Sequence, residues 1–257
     1  MASDFQRGFA TPFRGFSYLR KHQHLWPFVL PAALVNVFIT GAALAVLVVV
    51  AIILVAWVHP MFGDGFWAVV LEVVVIAAVV VVVLGLTLLC WMLMQNIIAG
   101  HLMSKLAERV ERDLGVDADT IASVPFARQV TDGVLDTGLL LAINTTGLLI
   151  QFIPGVGAVI GVPLVFIGDA WVLGSDFLAH PLNLRGRTFS DRQRFLRRHW
   201  RETVGVGSAV APLGLIPVLG GLVAACTVVG AVLLYRELEA EDAEEVEAAA
   251  DAGEASG

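Results

Sequence analysis

Between Leu25 and Val58 the chain runs for 34 residues without Asp, Glu, Lys or Arg, and from Phe66 to Ser104 the only such charge is Glu72. At about 1.5 Å of rise per residue, each run exceeds the roughly 20 residues that carry a helix across a bilayer core. A segment surrounded by lipid has to satisfy its own backbone, so both runs are predicted to be transmembrane helices. With 58% hydrophobic and only 15% charged residues, and a mean hydropathy of +0.82, the class extends to the chain as a whole: an all-α integral membrane protein.

Two later apolar stretches break their own helices. In "QFIPGVGAVIGVP", Gln151 to Pro163, two prolines and three glycines interrupt a run that begins at Thr137. Proline cannot donate its backbone N–H and glycine tolerates a reversed turn, so "IPGVG" reads as a hairpin apex. The limb before it, Thr137 to Ile153, has 17 uncharged residues, and the limb after it meets Asp169 only 12 residues beyond Gly157. The pattern returns at Thr203 to Ile216, the breaker "IPVLGG", and Leu222 to Tyr235. Limbs of about 18 to 25 Å fall short of a ~30 Å core. Two re-entrant hairpins follow, entering and leaving on one face; ordinary spanning hairpins are the alternative.

Basic residues orient the protein, because short loops rich in Lys and Arg stay on the cytoplasmic side. The loop from His59, "HPMFGDG", has none, whereas Lys105, Arg109, Arg112 and Arg128 follow the second span, and seven arginines between Arg185 and Arg201 crowd a later loop. Both termini are therefore expected to be cytoplasmic. Residues 1–24 read as an interfacial helix, with Phe5, Phe9, Phe13, Phe16 and Leu19 at near-helical spacing and Arg7, Arg14, Arg20 and Lys21 between them. The segment lacks the apolar core of a cleaved signal peptide and is kept as mature protein. In the basic loop, Ser190 and Gln193 form a Ser-x-x-Gln capping box that predicts a helix through Glu202, riding anionic headgroups. The formal charge of −7 comes from the end of the chain: nine acidic residues and no basic one follow Arg236, and without them 16 basic residues face 14 acidic ones. The expected organisation is an interfacial segment 1–24, one membrane domain 25–236, and an acidic, disordered tail 237–257.

Several stretches, taken in order, carry a family resemblance. They are "YLRKHQHLWPFVLPAALVN" (Tyr18 to Asn36), "NIIAGHLMSKLAERVERDL" (Asn96 to Leu114), the "FIPGVG" apex, Trp171 to Pro181 with its Asp-x-x-x-x-Pro end, and "IPVLGG" with "VVGAVLL". Together they resemble the CysZ sulfate permease family and its etoposide-induced-protein relatives over roughly Gly15 to Arg236. The resemblance implies two long transmembrane helices, two partly inserted hairpins, a homo-oligomer in the cell membrane, and uptake of sulfate for sulfur assimilation. It also shows departures. The Gly-Leu-Arg typical of sulfate permeases is here "HLWPF", His24 to Phe28, and His101 and Met103 stand where the family carries proline and asparagine.

Candidate anion contacts are Arg20, Lys21, His22 and His24, whose cations cluster before the first span and for which lipid headgroups are the plainer partner, and Gly155 and Gly157, whose backbone N–H groups could face a small oxyanion at a restarting helix. Asp169 and Asp176, seven residues apart on one helix face, are candidates for a coupling proton, with pairing or helix capping as the alternative. Asn36, Asn96, Asn144, Thr145 and Gln151 read as interhelical hydrogen-bond partners.

No enzyme motif, paired-cysteine metal site or phosphate loop is present in the sequence, and Cys90 and Cys226 read as buried free thiols in apolar helix. Neither a cofactor nor a nucleic-acid partner is expected; the expected partners are membrane lipids and a sulfate-like anion. The rival reading is a non-transporting scaffold or lipid-organising protein of the same superfamily.

Overall fold

The computed structural model describes residues 3–58, 65–94, 100–116, 126–151, 157–214 and 217–254. Among them it is all helical, with no strand. Ser3 starts the chain with a capping box: its Oγ accepts from Gln6 N at 3.3 Å, and the Gln6 side chain accepts from Ser3 N at 3.0 Å. Helix α1 (Asp4–Phe9) leads to α2 (Thr11–Lys21), and a 3-10 turn at Gln23–Leu25 feeds α3 (Trp26–Val58). Then follow α4 (Phe66–Met94), α5 (Gly100–Asp113), α6 (Phe126–Gln151), a π turn at Gly157–Gly161, α7 (Val162–Leu184), α8 (Phe189–Arg198), α9 (Trp200–Gly214) and α10 (Pro217–Glu254).

Helices α3 and α4 form the long pair anticipated from the charge-free runs. They are 33 and 29 residues long, about 50 and 44 Å. They pack on each other, and Trp91 Nε1 donates to Thr40 Oγ1 at 3.3 Å across the pair. Leu34, Phe38, Ile52, Trp57, Val73 and Val81 stay exposed, as expected of helices solvated by lipid. Four helices, α3, α4, α7 and α10, are long and apolar enough to cross a membrane. Of the two thiols expected to be buried, Cys226 is buried while Cys90 is exposed.

The core sits elsewhere, around the middle of α10. Leu19, Leu25, Leu106, Val110, Leu178, Leu182, Leu196, Val228 and Leu234 are fully buried there, and α10 touches α2, α3, α5, α7 and α9. Small residues set how closely these helices approach. A Cβ on Gly15 would fall onto the carbonyl oxygen of Cys226, one on Gly230 onto that of Thr11, one on Gly174 onto that of Thr203, and one on Gly207 onto that of Ala170. This is the close backbone contact that drives helix association where lipid removes the usual apolar incentive.

Within the segment expected at the interface, α1 docks on α9 and α2 on α10, with Phe5, Phe9, Phe13 and Phe16 in an exposed row and Leu19 buried. Two further sequence expectations are revised. The tail expected to be disordered is helical through Glu254, continuous with α10, and five of its carboxylates, from Glu237 to Glu245, find arginine partners described below. The cap of the basic helix is Thr188, whose Oγ1 accepts from Asp191 N at 3.3 Å, and the helix breaks at His199 before α9. Gly186, at φ +67°, turns the chain so that Thr188 enters extended and the helix starts earlier than the Ser190 box would place it.

Limb lengths differ as well. α6 has 26 residues and α7 has 23, and α7 runs on through Asp169 and Asp176 to Leu184. Asn144 Nδ2, from α6, donates to Asp169 Oδ1 at 2.7 Å, so the carboxylate is satisfied within the helix pair. The apex "FIPGV", residues 152–156, lies outside the described residues.

Candidate functional site

The first group of candidate residues lies where α2 ends against α5. Asp113, the last residue of α5, accepts from the Tyr18 hydroxyl at 2.6 Å and meets His24 Nε2 at 2.9 Å, with His22 Nε2 at 3.9 Å. The Tyr18 and His22 rings stack at 4.0 Å, and His24 approaches His22 edge-on at 6.0 Å. Tyr18 chiefly, together with His24, holds the Asp113 carboxyl below its usual range. Burial first, and Asp113 second, push the Tyr18 phenol up. His22 and His24 are thus brought together around a carboxylate. Arg20 and Lys21 are exposed at the end of α2, adjoining them in sequence. Beside this junction Arg109 lies over the Phe28 ring, 5.3 Å from its centroid.

The second group lies in the α6–α7 hairpin. Gly157 is buried, and a Cβ there would sit 2.5 Å from the Gln151 carbonyl oxygen. Packing therefore gives this glycine its reason. Gly155 lies outside the described residues. Asp169, Asp176 and His180 follow at intervals of seven and four residues along α7, on roughly one face. Asp169 bonds Asn144, and His180 Nδ1 lies 3.1 Å from Ser104 Oγ of α5. Arg192, buried at 2% exposure and lying over the Phe189 ring at 4.9 Å, acts electrostatically on Asp176 and His180. Glu72 is half-buried in α4.

A third constellation was missed at the level of sequence. Acidic residues of α10 pair with basic ones from four other elements. Glu237 accepts from Arg14 Nη1 at 3.0 Å. Glu241 takes Arg7, which also reaches the buried Glu202 at 3.1 Å. Glu239 lies 3.6 Å from Arg187 and 3.8 Å from Arg185. Asp242 holds Arg198 Nε at 3.1 Å and His199 Nε2 at 3.3 Å, and Glu245 also takes Arg198. Arg185 further lies 3.4 Å from Glu111, a carboxylate at 1% exposure whose pKa burial raises. The helical spacing of Glu237, Glu241 and Glu245 carried the signal for this stripe. Among the described residues, no three His, Cys, Asp or Glu side chains converge as metal ligands would.

Comparison with known proteins bears on this architecture of long apolar pairs around a glycine-packed core. The family described as "Sulfate transporter CysZ/Etoposide-induced protein 2.4" matches residues 11–224. The chain belongs to this family. A curated relative, the sulfate transporter CysZ of Pectobacterium atrosepticum, is 33% identical over 97 residues. That match spans 36% of this chain and 35% of the relative. The family's matched region begins at the first residue of α2 and ends inside α10, so it takes in the junction at Asp113 and the α7 file. It stops short of the acidic half of α10, which is a feature of this chain beyond the shared region.

Proposed function

We propose that this protein is a multi-pass permease for a small oxyanion, with sulfate as the leading substrate, acting in the cell membrane with both termini cytoplasmic. The observation that carries the reading is the family match across residues 11–224, since the family is described by a sulfate transporter. The four helices long and apolar enough to span a bilayer support it. In this reading Arg20 and Lys21, exposed beside the histidine pair, attract the anion, with His22, His24 and the backbone at Gly155 and Gly157 as further contacts. Asp169 and Asp176 supply sites for a coupling proton on α7. The hairpins around 152–156 and 215–216 enter and return on the cytoplasmic face, and the molecule works as a homo-oligomer.

A second reading, a non-transporting scaffold of the same family, is favoured by one feature: His22 and His24 already face the Asp113 carboxylate. Uptake of labelled sulfate into liposomes holding the purified protein separates the two. Sulfate should enter well above the empty-liposome rate, and selenate should compete better than phosphate or chloride. If no anion enters faster than into empty liposomes across a range of pH, the permease reading fails and the scaffold stands.

A further inference from the structure

The acidic half of α10 is attached in an unusual way. Buried apolar residues anchor the helix as far as Leu238, which is fully buried, and beyond it every described residue is half-buried or exposed, with Val246 65% exposed. What holds residues 239–245 in place is therefore charge. The pairs are those of Glu239 with Arg185 and Arg187, Glu241 with Arg7, Asp242 with Arg198 and His199, and Glu245 with Arg198. Just before them Glu237 takes Arg14. These side chains keep water access: Arg14 is 35%, Arg187 38% and Arg198 50% exposed. Ion pairs of this kind are individually weak and open to competition from other anions.

The same arginines stand next to a membrane. The exposed row Phe5, Phe9, Phe13 and Phe16 lies on the helices that carry Arg7 and Arg14, so burying those rings at the bilayer boundary brings both arginines to headgroup depth. Arg185, Arg187 and Arg198 flank α8, the basic helix expected to ride the same layer. Phosphodiester headgroups of anionic lipid and the carboxylates of α10 thus present the same chemistry to one set of guanidinium groups. Two partners for one basic face make an equilibrium.

We propose that residues 237–245 form a releasable acidic strap, which competes with anionic lipid headgroups for Arg7, Arg14, Arg187 and Arg198. In a membrane poor in anionic lipid the strap stays docked along α1, α2 and α8. In a membrane rich in it the headgroups take the arginines, and the helix beyond Leu238 leaves the surface. Lipid composition then sets whether the basic face is covered. The inference needs the membrane embedding alone and stands or falls apart from transport.

The test uses the full chain with spin labels at Ser17→Cys and Ala243→Cys, two exposed positions outside the ion pairs, in a Cys90→Ser background; Cys226 is buried. Pulsed EPR distances are recorded in phosphatidylcholine liposomes and in liposomes with increasing phosphatidylglycerol. A single short distance is expected in phosphatidylcholine at low salt. Phosphatidylglycerol should raise the long-distance fraction at least about fivefold, the effect of one arginine engaging an anionic surface. The variant E237Q/E241Q/D242N/E245Q should show the long distance in both lipids. A distribution that ignores phosphatidylglycerol overturns the proposal, whether or not salt shifts it. Inorganic phosphate at matched ionic strength releasing the strap as fully as phosphatidylglycerol would replace the lipid with a free oxyanion and overturn it too.

Discussion

Asp113 shows how much a single side chain decides. Its carboxylate is claimed by the Tyr18 hydroxyl at 2.6 Å and by His24 at 2.9 Å, which joins the end of α2, the start of the first span and the end of α5. Its pKa is held below the ordinary value, chiefly by the Tyr18 hydrogen bond. A carboxyl with a depressed folded-state pKa adds stability that is fully present above its unfolded pKa, near 4, and is lost as pH falls through the folded value. The wild-type protein in detergent should therefore be more stable than Asp113→Asn at pH 7, by on the order of 1 kcal/mol once exposure is allowed for. The gap in melting temperature should shrink as pH falls below the unfolded pKa, near 4, and close below the lower folded value. A gap that persists unchanged at pH 3 would show that Asp113 acts through packing and not charge. Asp113 was not singled out from sequence, because it ends a helix already rich in both signs and its partners are 89 and 95 residues away.

At the scale of elements, the helices that were legible are those whose signal is local. The charge-free runs gave α3 and α4, since a lipid-facing helix needs nothing from the rest of the chain. The acidic end of α10 needed its partners to be legible: nine carboxylates without a base read as solvated until Arg7, Arg14, Arg187 and Arg198 are placed against five of them, Glu237, Glu239, Glu241, Asp242 and Glu245. Asp169 likewise needed its partner, since Asn144 of α6 satisfies it inside the helix pair. Glycine is the other non-local signal. Gly174 and Gly207 face each other across α7 and α9, with Ala170 and Thr203 backbone in contact, while Gly41 and Gly85 in the long pair have nothing within 4 Å. Gly174→Leu should cost at least about 1–3 kcal/mol, or prevent folding, because the helix backbones themselves would have to separate. Gly85→Leu should be close to neutral, because its side chain would project into open space. Fluorescence-detected size exclusion after heating checks the pair of variants; equal losses would mean the α7–α9 contact is not what holds the core.

For the molecule as a whole, the decisive quantity is which parts share a side of the membrane. α8 carries Arg192, Arg194, Arg197 and Arg198, and the acidic half of α10 pairs with Arg198 of α8, Arg7 of α1 and Arg14 of α2, so these elements must lie on one side whichever that is. The orientation proposed above, with its basic face cytoplasmic, follows from the positive-inside tendency and from the lack of Lys or Arg in the sequence between α3 and α4. The α6–α7 hairpin is the undecided member, because α7 is long enough to cross while the limb lengths in sequence favour return at half depth. Single cysteines in a Cys90→Ser background resolve the three cases with a membrane-impermeant maleimide on intact cells. Gly65→Cys, exposed just before α4, should be labelled from outside. Ser190→Cys, exposed on α8, should react only after the membrane is opened. Val159→Cys, 72% exposed in the π turn at the hairpin apex, should stay unlabelled from outside if the hairpin turns back within the bilayer. External labelling of Val159→Cys alone would make α6 and α7 full spans and leave α8 cytoplasmic, whereas external labelling of Ser190→Cys would invert the whole arrangement.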